Sequence, residues 1–278
     1  MALAWGPWRS VVTLHDLAFL LYPRTHTPAS RAYYAATGDS VRRAQRVIAV
    51  SRRTAADATR LLGVDPSRLR VIYEAAGPAF APRPWQELAP VARRCGFDDD
   101  RRFVLLVGTL EPRKNLPVAI AAFARARKHA EAQLLVVGRQ GPLADAIFRA
   151  AAGSGVESDI HFLGAVAEAD LAVLYSHASV FAFPSLYEGF GLPLLEAMAC
   201  GAPVVSSDAG SMREVVGDAG LLLPPDDVGR WAGAFGRLLS DERLAADLRQ
   251  RGFGRSAQFT WQRAARETRA VYREALMA

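Results

Sequence analysis

From Arg102 onward, short apolar runs alternate with amphipathic stretches. The runs are FVLLVG (103–108), QLLVVG (133–138), IHFLG (160–164), SVFAFP (179–184), PVVSS (203–207) and GLLLP (220–224). They are brief and almost free of charge, as strands buried on both faces are. The segments between them have helical spacing. LPVAIAAFARARK sets Val118, Ala122 and Ala126 on one side. SMREVVG opens on Ser211 with Glu214 three residues later, which predicts a capping box, and Gly217 stops that helix. PDDVGRWAGAFGRLL begins with acidic residues that suit a helix N-terminus. Strands alternating with helices predict a parallel sheet with right-handed crossovers. Six such strands complete one doubly wound, Rossmann-like α/β domain.

The N-terminal part repeats the pattern in shorter form. SVVTLHD (10–16), RVIAVS (46–51) and LRVIYEA (69–75) read as strands, and Ser51 caps the helix RRTAADATRLL, which Gly63 ends. APRPWQELAP (81–90) carries three prolines and reads as a linker. The C-terminal stretch FTWQRAARETRAVYREAL is an amphipathic helix whose Trp261, Ala264, Ala265, Thr268, Val271 and Tyr272 share a face and pack on a domain. The expected boundaries are therefore 1–83 for a partial N-terminal domain, 84–259 for a complete C-terminal one, and 260–278 for a helix returning toward the N-terminal part. Three strands are few for an independent domain of this type. Either its first portion is missing, or the three strands lean on the second domain.

Composition changes this picture little. The 278 residues suit two domains, and an apolar fraction of 51% is enough for real cores. No run reaches the roughly 18 apolar residues of a membrane span. The opening MALAWGPWRS lacks a basic lead and is broken by Pro7 and Arg9, so it does not read as a secretory signal, and a cytoplasmic location is expected. Cys95 and Cys200, the two cysteines, have no metal spacing, and Cys200 reads as a buried, inert thiol. The formal net charge is 34 − 28 = +6, yet the arginines are scattered and no aromatic-interleaved basic stripe occurs. Nucleic acid is not the expected partner; phosphate-bearing molecules or an anionic membrane face fit the charge better.

Candidate chemistry lies at two strand ends. Open doubly wound sheets bind ligands beyond the carboxyl ends of their strands. SVFAFP delivers the chain to that edge, where SLYEGFG (185–191) forms a loop with Gly189 and Gly191, followed by a helix with Pro193 in its first turn. Such a helix start favours an anion such as phosphate. Glu196 sits among Leu194, Leu195, Ala197 and Met198, and a carboxylate in that company needs a partner. A sugar diol would supply two donors; a dipole contact or an arginine would also serve. Glu188 stands 196 − 188 = 8 residues earlier across a flexible turn, so the two carboxylates can address opposite ends of an extended ligand. The second patch, VGTLEPRKNL (107–116), ends the first strand of the same domain. Its adjacent cations Arg113 and Lys114, just before a helix, make a candidate diphosphate clamp. A solvated basic turn is the bland alternative.

Together, EGFGLPLLEAMACGAPVV, VGTLEPRKNL, VVTLHDLAF and VIAVS resemble the family 4 glycosyltransferases, nucleotide-sugar enzymes of the GT-B fold, and GTLEPRKN looks like their mannosyltransferase-type branch. The resemblance implies a retaining transferase that moves a hexose, mannose being a candidate, from a nucleoside-diphosphate sugar to a saccharide or lipid-linked acceptor hydroxyl. It implies that Glu188 lies near the transferred sugar and that Glu196 holds the ribose. It also implies that Arg113 and Lys114 stabilise the diphosphate and that His15 faces the interdomain cleft. Gly108, Thr109, Gly189, Phe190, Gly191 and Leu192 would line the donor. Thr109 stands where other branches carry an arginine. No cofactor or metal is implied, and peripheral membrane contact is compatible. The family's N-terminal domain is longer, and the Gly-rich loop of its first strand is absent here. Most of the acceptor site is then expected to be missing, or supplied by a partner chain. A sugar-nucleotide-binding module without transfer activity is the rival reading. A nicotinamide oxidoreductase fits poorly, because no G-x-G-x-x-G follows an opening strand.

Overall fold

The computed structural model describes residues 8–128, 131–141 and 143–277, so most of MALAWGPWRS, the stretch that does not read as a secretory signal, lies outside the described residues. The N-terminal part comprises β1 (Val11–Leu14), α1 (Ala18–Leu21), α2 (Pro28–Tyr34), α3 (Thr37–Arg43), β2 (Arg46–Ala49), α4 (Arg52–Leu62) and β3 (Leu69–Val71). There follow α5 (Leu88–Cys95), β4 (Phe103–Val107), α6 (Leu116–Ala126), β5 (Gln133–Val137), α7 (Asp145–Ala152), β6 (Ile160–Gly164), α8 (Glu168–His177) and β7 (Val180–Phe183). The chain closes with α9 (Leu192–Cys200), β8 (Val204–Ser207), α10 (Met212–Val216), β9 (Gly220–Leu223), α11 (Val228–Ser240), α12 (Glu242–Ser256) and α13 (Trp261–Met277).

Two parallel sheets organise these elements. One has the order β1-β2-β3, the other β6-β5-β4-β7-β8-β9. Alternate residues of the inner strands feed opposite cores: Phe103 and Leu105 pack with α5, α8, α9 and α10, whereas Val104 and Leu106 pack with α6, α7 and α11. This two-sided burial explains why the strands read as unbroken apolar runs. The strand order reverses between β4 and β7, which makes the crevice beyond their carboxyl ends the natural ligand position.

Helix α13 lies on the three-stranded sheet. Ala264 and Val271 pack with Ile48 and Ile72, and Arg46 and Arg70 both reach Glu274. Two of the residues assigned to its packing face, Trp261 and Tyr272, are about half exposed; the indole of Trp261 instead donates to the carbonyl of Ala76. The linker reading of 81–90 holds only as far as the turn Trp85–Glu87, because Leu88 already begins α5, burying Leu88, Val91 and Ala92. Cys200 is buried, and desolvation pushes its thiol up to about 12, so it stays protonated and inert at neutral pH.

The predicted capping box is not formed. Ser211 makes no cap bond to its own helix; its hydroxyl donates to the carbonyls of Glu188 and Phe190. The Glu214 side chain turns away from α10 and accepts from the backbone N–H groups of Arg52 and Arg53, both at 2.8 Å, and from the Tyr73 phenol at 3.1 Å. It therefore caps α4 in the other sheet's unit, where a carboxylate also meets the positive end of the helix dipole. Replacing Glu214 with Ala is expected to lower stability by about 1–2 kcal/mol, the cost of a lost cap. An unchanged urea midpoint would show that this contact contributes nothing.

Candidate functional site

The loops after β4 and β7 meet at the switch point. They are stitched by main-chain contact, the Leu186 N–H donating to the Arg113 carbonyl at 2.9 Å. The Asn115 amide adds bonds to the carbonyls of Pro184 and Pro225, at 3.2 and 2.7 Å. Residues Pro112–Lys114 form a single 3-10 turn, after which Asn115 adopts a left-handed conformation and α6 begins.

This arrangement brings Glu188, Arg113 and Lys114 together. The Lys114 ammonium donates to one oxygen of Glu188 at 2.7 Å, and Arg113 pairs with the other at 2.8 Å. Arg113 also pairs with Glu111 at 2.6 Å and donates to the Tyr187 carbonyl at 2.6 Å. Only 8% of Glu188 is exposed, and the cationic side chains are nearly as covered, which rules out a solvated basic turn. Burial works to raise the Glu188 carboxyl, but Lys114 and Arg113 overcome it and hold it below the usual carboxylate range. Burial likewise opposes the charge on Arg113, and Glu188 and Glu111 more than compensate. Lys114 reaches this position over Gly108, where an added Cβ would lie 3.2 Å from the lysine Cε, and its ammonium stands 5.3 Å from the Phe183 ring centre.

The rest of the Gly-rich loop is set by close approach. A Cβ on Gly189 would fall 1.6 Å from the His15 carbonyl oxygen, so only glycine lets the end of β1 touch this loop. The His15 ring itself points elsewhere: it is largely exposed and contacts Glu74 at 3.2 Å, a hydrogen bond that raises its pKa. Phe190 turns inward to stack on Tyr73 at 6.0 Å and meet Phe259 edge-on, leaving only its backbone to the crevice. Gly191 is left-handed and precedes α9, whose first turn holds Leu192 and Pro193. Thr109 packs against Gly141.

Glu196 sits apart from the cation cluster, one turn into α9. It is the fifth residue of that helix, and the Tyr175 phenol donates to it at 3.1 Å. Burial, with Glu168 adding repulsion, pushes its carboxyl up to about 7 against the pull of Tyr175. The partner demanded by its apolar neighbours is thus a tyrosine on α8 in the free protein. Nothing in the local sequence around Glu196 marked it.

Beside Arg113 lies a cavity of about 290 Å³ whose opposite wall includes Asp16, Thr25, His26, Ser30 and Tyr34. The His26 Nε2 is buried there without a hydrogen-bond partner among the described residues. Sequence reasoning passed over this wall, because residues 23–34 show neither strand nor strong helical periodicity. Among the described residues, no cluster of three or more His, Cys, Asp or Glu could hold a metal ion.

Two family models match the sequence: "Glycosyl transferases group 1" over residues 92–255 and "Glycosyltransferase Family 4" over residues 1–76. An O-antigen chain mannosyltransferase B from Escherichia coli is 32% identical over 269 residues, covering 95% of this chain and 70% of that protein. The serotype-specific mannosyltransferase WbdA, also from Escherichia coli, is 30% identical over 261 residues, but the chain spans only 32% of its length. Among solved structures, sucrose-phosphate synthase from Thermosynechococcus elongatus superposes with a TM-score of 0.80 at 29% identity, over 96% of this chain and 68% of that one. Anabaena Alr3699/HepE, solved with UDP-glucose, gives 0.79 at 23% identity, over 96% and 72%, and shares the fold.

Proposed function

The chain belongs to the group 1 glycosyl transferases of GT-B fold, and on that premise we propose that it transfers a hexose from a nucleoside-diphosphate sugar to an acceptor hydroxyl with retention of configuration. Mannose is the favoured sugar, because the E. coli relatives are mannosyltransferases. The observation that carries this reading is the pair Arg113 and Lys114, held on the buried Glu188 carboxylate at the switch point of the sheet.

The donor would lie along the crevice. Its diphosphate meets Arg113, Lys114 and the N-terminus of α9, and its ribose meets Glu196. Glu188, relieved of its two cations by the incoming phosphates, turns to the hydroxyls of the sugar. As the bond from the anomeric carbon to the phosphate oxygen breaks, its electron pair leaves with the diphosphate. The acceptor oxygen attacks from the same face, and its proton passes to the departing phosphate oxygen. The growing negative charge is met by groups already in place, which is where such sites gain most.

The acceptor would enter the cavity beside Arg113. At about 290 Å³ it is at the small end of ligand pockets and suits one sugar ring. Its hydroxyl, imidazole and carboxylate lining favours a saccharide, free or lipid-linked. Among the described residues no helix is long and apolar enough to cross a membrane, and peripheral contact at the cytoplasmic face is compatible with the basic charge.

Thermal unfolding with UDP-, GDP- and ADP-sugars tests the donor. A true donor at 100 times its Kd should add about 2.7 kcal/mol. If none of the three classes shifts the midpoint, the reading fails. Stabilisation without turnover would favour the rival binding module.

A further inference from the structure

We propose that helix α4 positions Glu188, with Asp57 as the positioning residue, so that contact between the two sheet units sets the geometry of the site. The loop 187–190 is gripped from two sides. Its own unit holds it through Ser211, whose hydroxyl bonds the carbonyls of Glu188 and Phe190 at 3.0 and 2.5 Å. The other unit holds it through α4. Thr54 donates its hydroxyl to the Gly189 carbonyl at 3.1 Å, and the Tyr187 phenol donates to Asp57 at 3.0 Å. These are the residues immediately before and after Glu188, so the carboxylate is suspended between two tethers to one helix.

Asp57 is built for this task. It is 98% covered, and its remaining capacity is filled by Arg53 at 2.8 Å and Arg60 at 2.9 Å on its own helix. A buried carboxylate with three donors is a strong and directional acceptor. Tyr187, equally buried, has Arg53 5.6 Å from its ring centre and the Tyr22 ring at 5.9 Å. The phenol thus has one orientation, and its backbone carbonyl, bonded to Arg113, inherits it. Glu214 fixes the start of α4 to the same unit that carries the loop. Any opening between the units breaks the Thr54, Asp57 and Glu214 contacts at once and leaves the loop around Glu188 held by its own unit alone. Asp57 touches no ligand in this scheme; it acts through Tyr187.

The consequence for catalysis rests on the transfer reading, but the positioning itself can be tested without a ligand. Hydrogen exchange would be followed in the free protein and in Asp57→Ala, Tyr187→Phe and the double variant. Exchange in the segment 184–191 should rise about tenfold in each single variant and no further in the double one, because the Tyr187–Asp57 bond is the contact to this loop that all three lose. Exchange in β4 and β5 should be unchanged. Unaltered exchange in 184–191, or an equal rise throughout the six-stranded sheet, would overturn the proposal. GDP-mannose and GDP serve as probes for the second arm: each variant should lose at least tenfold in hydrolysis or transfer of GDP-mannose while GDP affinity stays within twofold. Equal losses in both would reduce Asp57 to a structural role. If the unmodified protein binds neither probe, it is guanine as the donor's base that falls, and the exchange result still decides the positioning.

Discussion

Lys114→Ala is expected to slow hexosyl transfer by about 10²–10³, while donor affinity falls far less. The asymmetry follows from where the ammonium stands. In the free protein it neutralises the buried Glu188 carboxylate at 2.7 Å. With donor bound it faces a diphosphate whose charge grows only as the glycosidic bond breaks. Losing an interaction that is stronger in the transition state than in the ground state lowers kcat rather than raising KM. Glu188 keeps Arg113 as a partner, so the variant retains one half of the buried pair and should fold. Arginine at this position would not rescue the rate. The stem lies so close over Gly108 that a Cβ there would stand only 3.2 Å from the lysine Cε, and the head is a compact ammonium beside the Phe183 ring. A planar guanidinium is longer and needs a different fork of acceptors. Steady-state kinetics and calorimetry on the same preparations check this. Equal losses in rate and affinity would make Lys114 a binding residue only.

The strands were legible because two-sided burial leaves no room for polar residues, and an unbroken apolar run of four or five residues has few other readings. The helices α1 to α3 escaped notice because they lie largely on the surface of the N-terminal part, with Leu20, Tyr33 and Tyr34 exposed, and show no consistent apolar face. The capping box at Ser211 and Glu214 failed for a different reason. Local spacing offered an acceptor to α10, but α4 in the other unit offered that carboxylate two N–H groups and a phenol nearby, and three donors outweigh one.

The site shows the same division. Motif spacing marked Glu188, Arg113 and Lys114 separately. Their contact spans 74 residues of sequence and depends on β4 and β7 being neighbours at the strand-order reversal, which no local pattern encodes. The tether from Asp57 to Tyr187 spans 130 residues, and the i,i+4 spacing of Arg53 and Asp57 on α4 gives no sign of it. His15 was marked for its ring, yet its nearest approach to the loop is through its backbone carbonyl at Gly189.

Sugar-nucleotide affinity is expected to rise with pH through about 7 and then level off, and Glu196 is the reason. Its carboxyl sits near that value in the free protein because burial opposes its charge. Ribose hydroxyls are donors and require the ionised form, so below about pH 7 binding must first release a proton, and the cost grows toward tenfold for each unit of acidification. The diester phosphates of the donor stay ionised throughout and add no slope. Stability moves the other way. The folded pKa of about 7 exceeds the ordinary value of 4.5, so between these two pH values the folded protein holds more protons than the unfolded chain, and stability falls as pH rises through that window. The ceiling for that loss is about 3 kcal/mol, and partial solvent access lowers it. Glu196→Gln therefore separates the two roles. It should abolish both slopes, raise the thermal midpoint above that of the unmodified protein at pH 8, and weaken sugar-nucleotide binding at least tenfold, since each charge-assisted bond contributes roughly 1.5–3 kcal/mol. Glu196→Ala should lose the affinity without gaining the stability, because it leaves the Tyr175 hydroxyl buried with no acceptor. Calorimetric titration from pH 6 to 8 beside thermal melts would decide the matter: a pH-independent affinity, or a Gln variant that binds as well as the original, removes Glu196 from the ribose site and leaves it a buried acid held by Tyr175 alone.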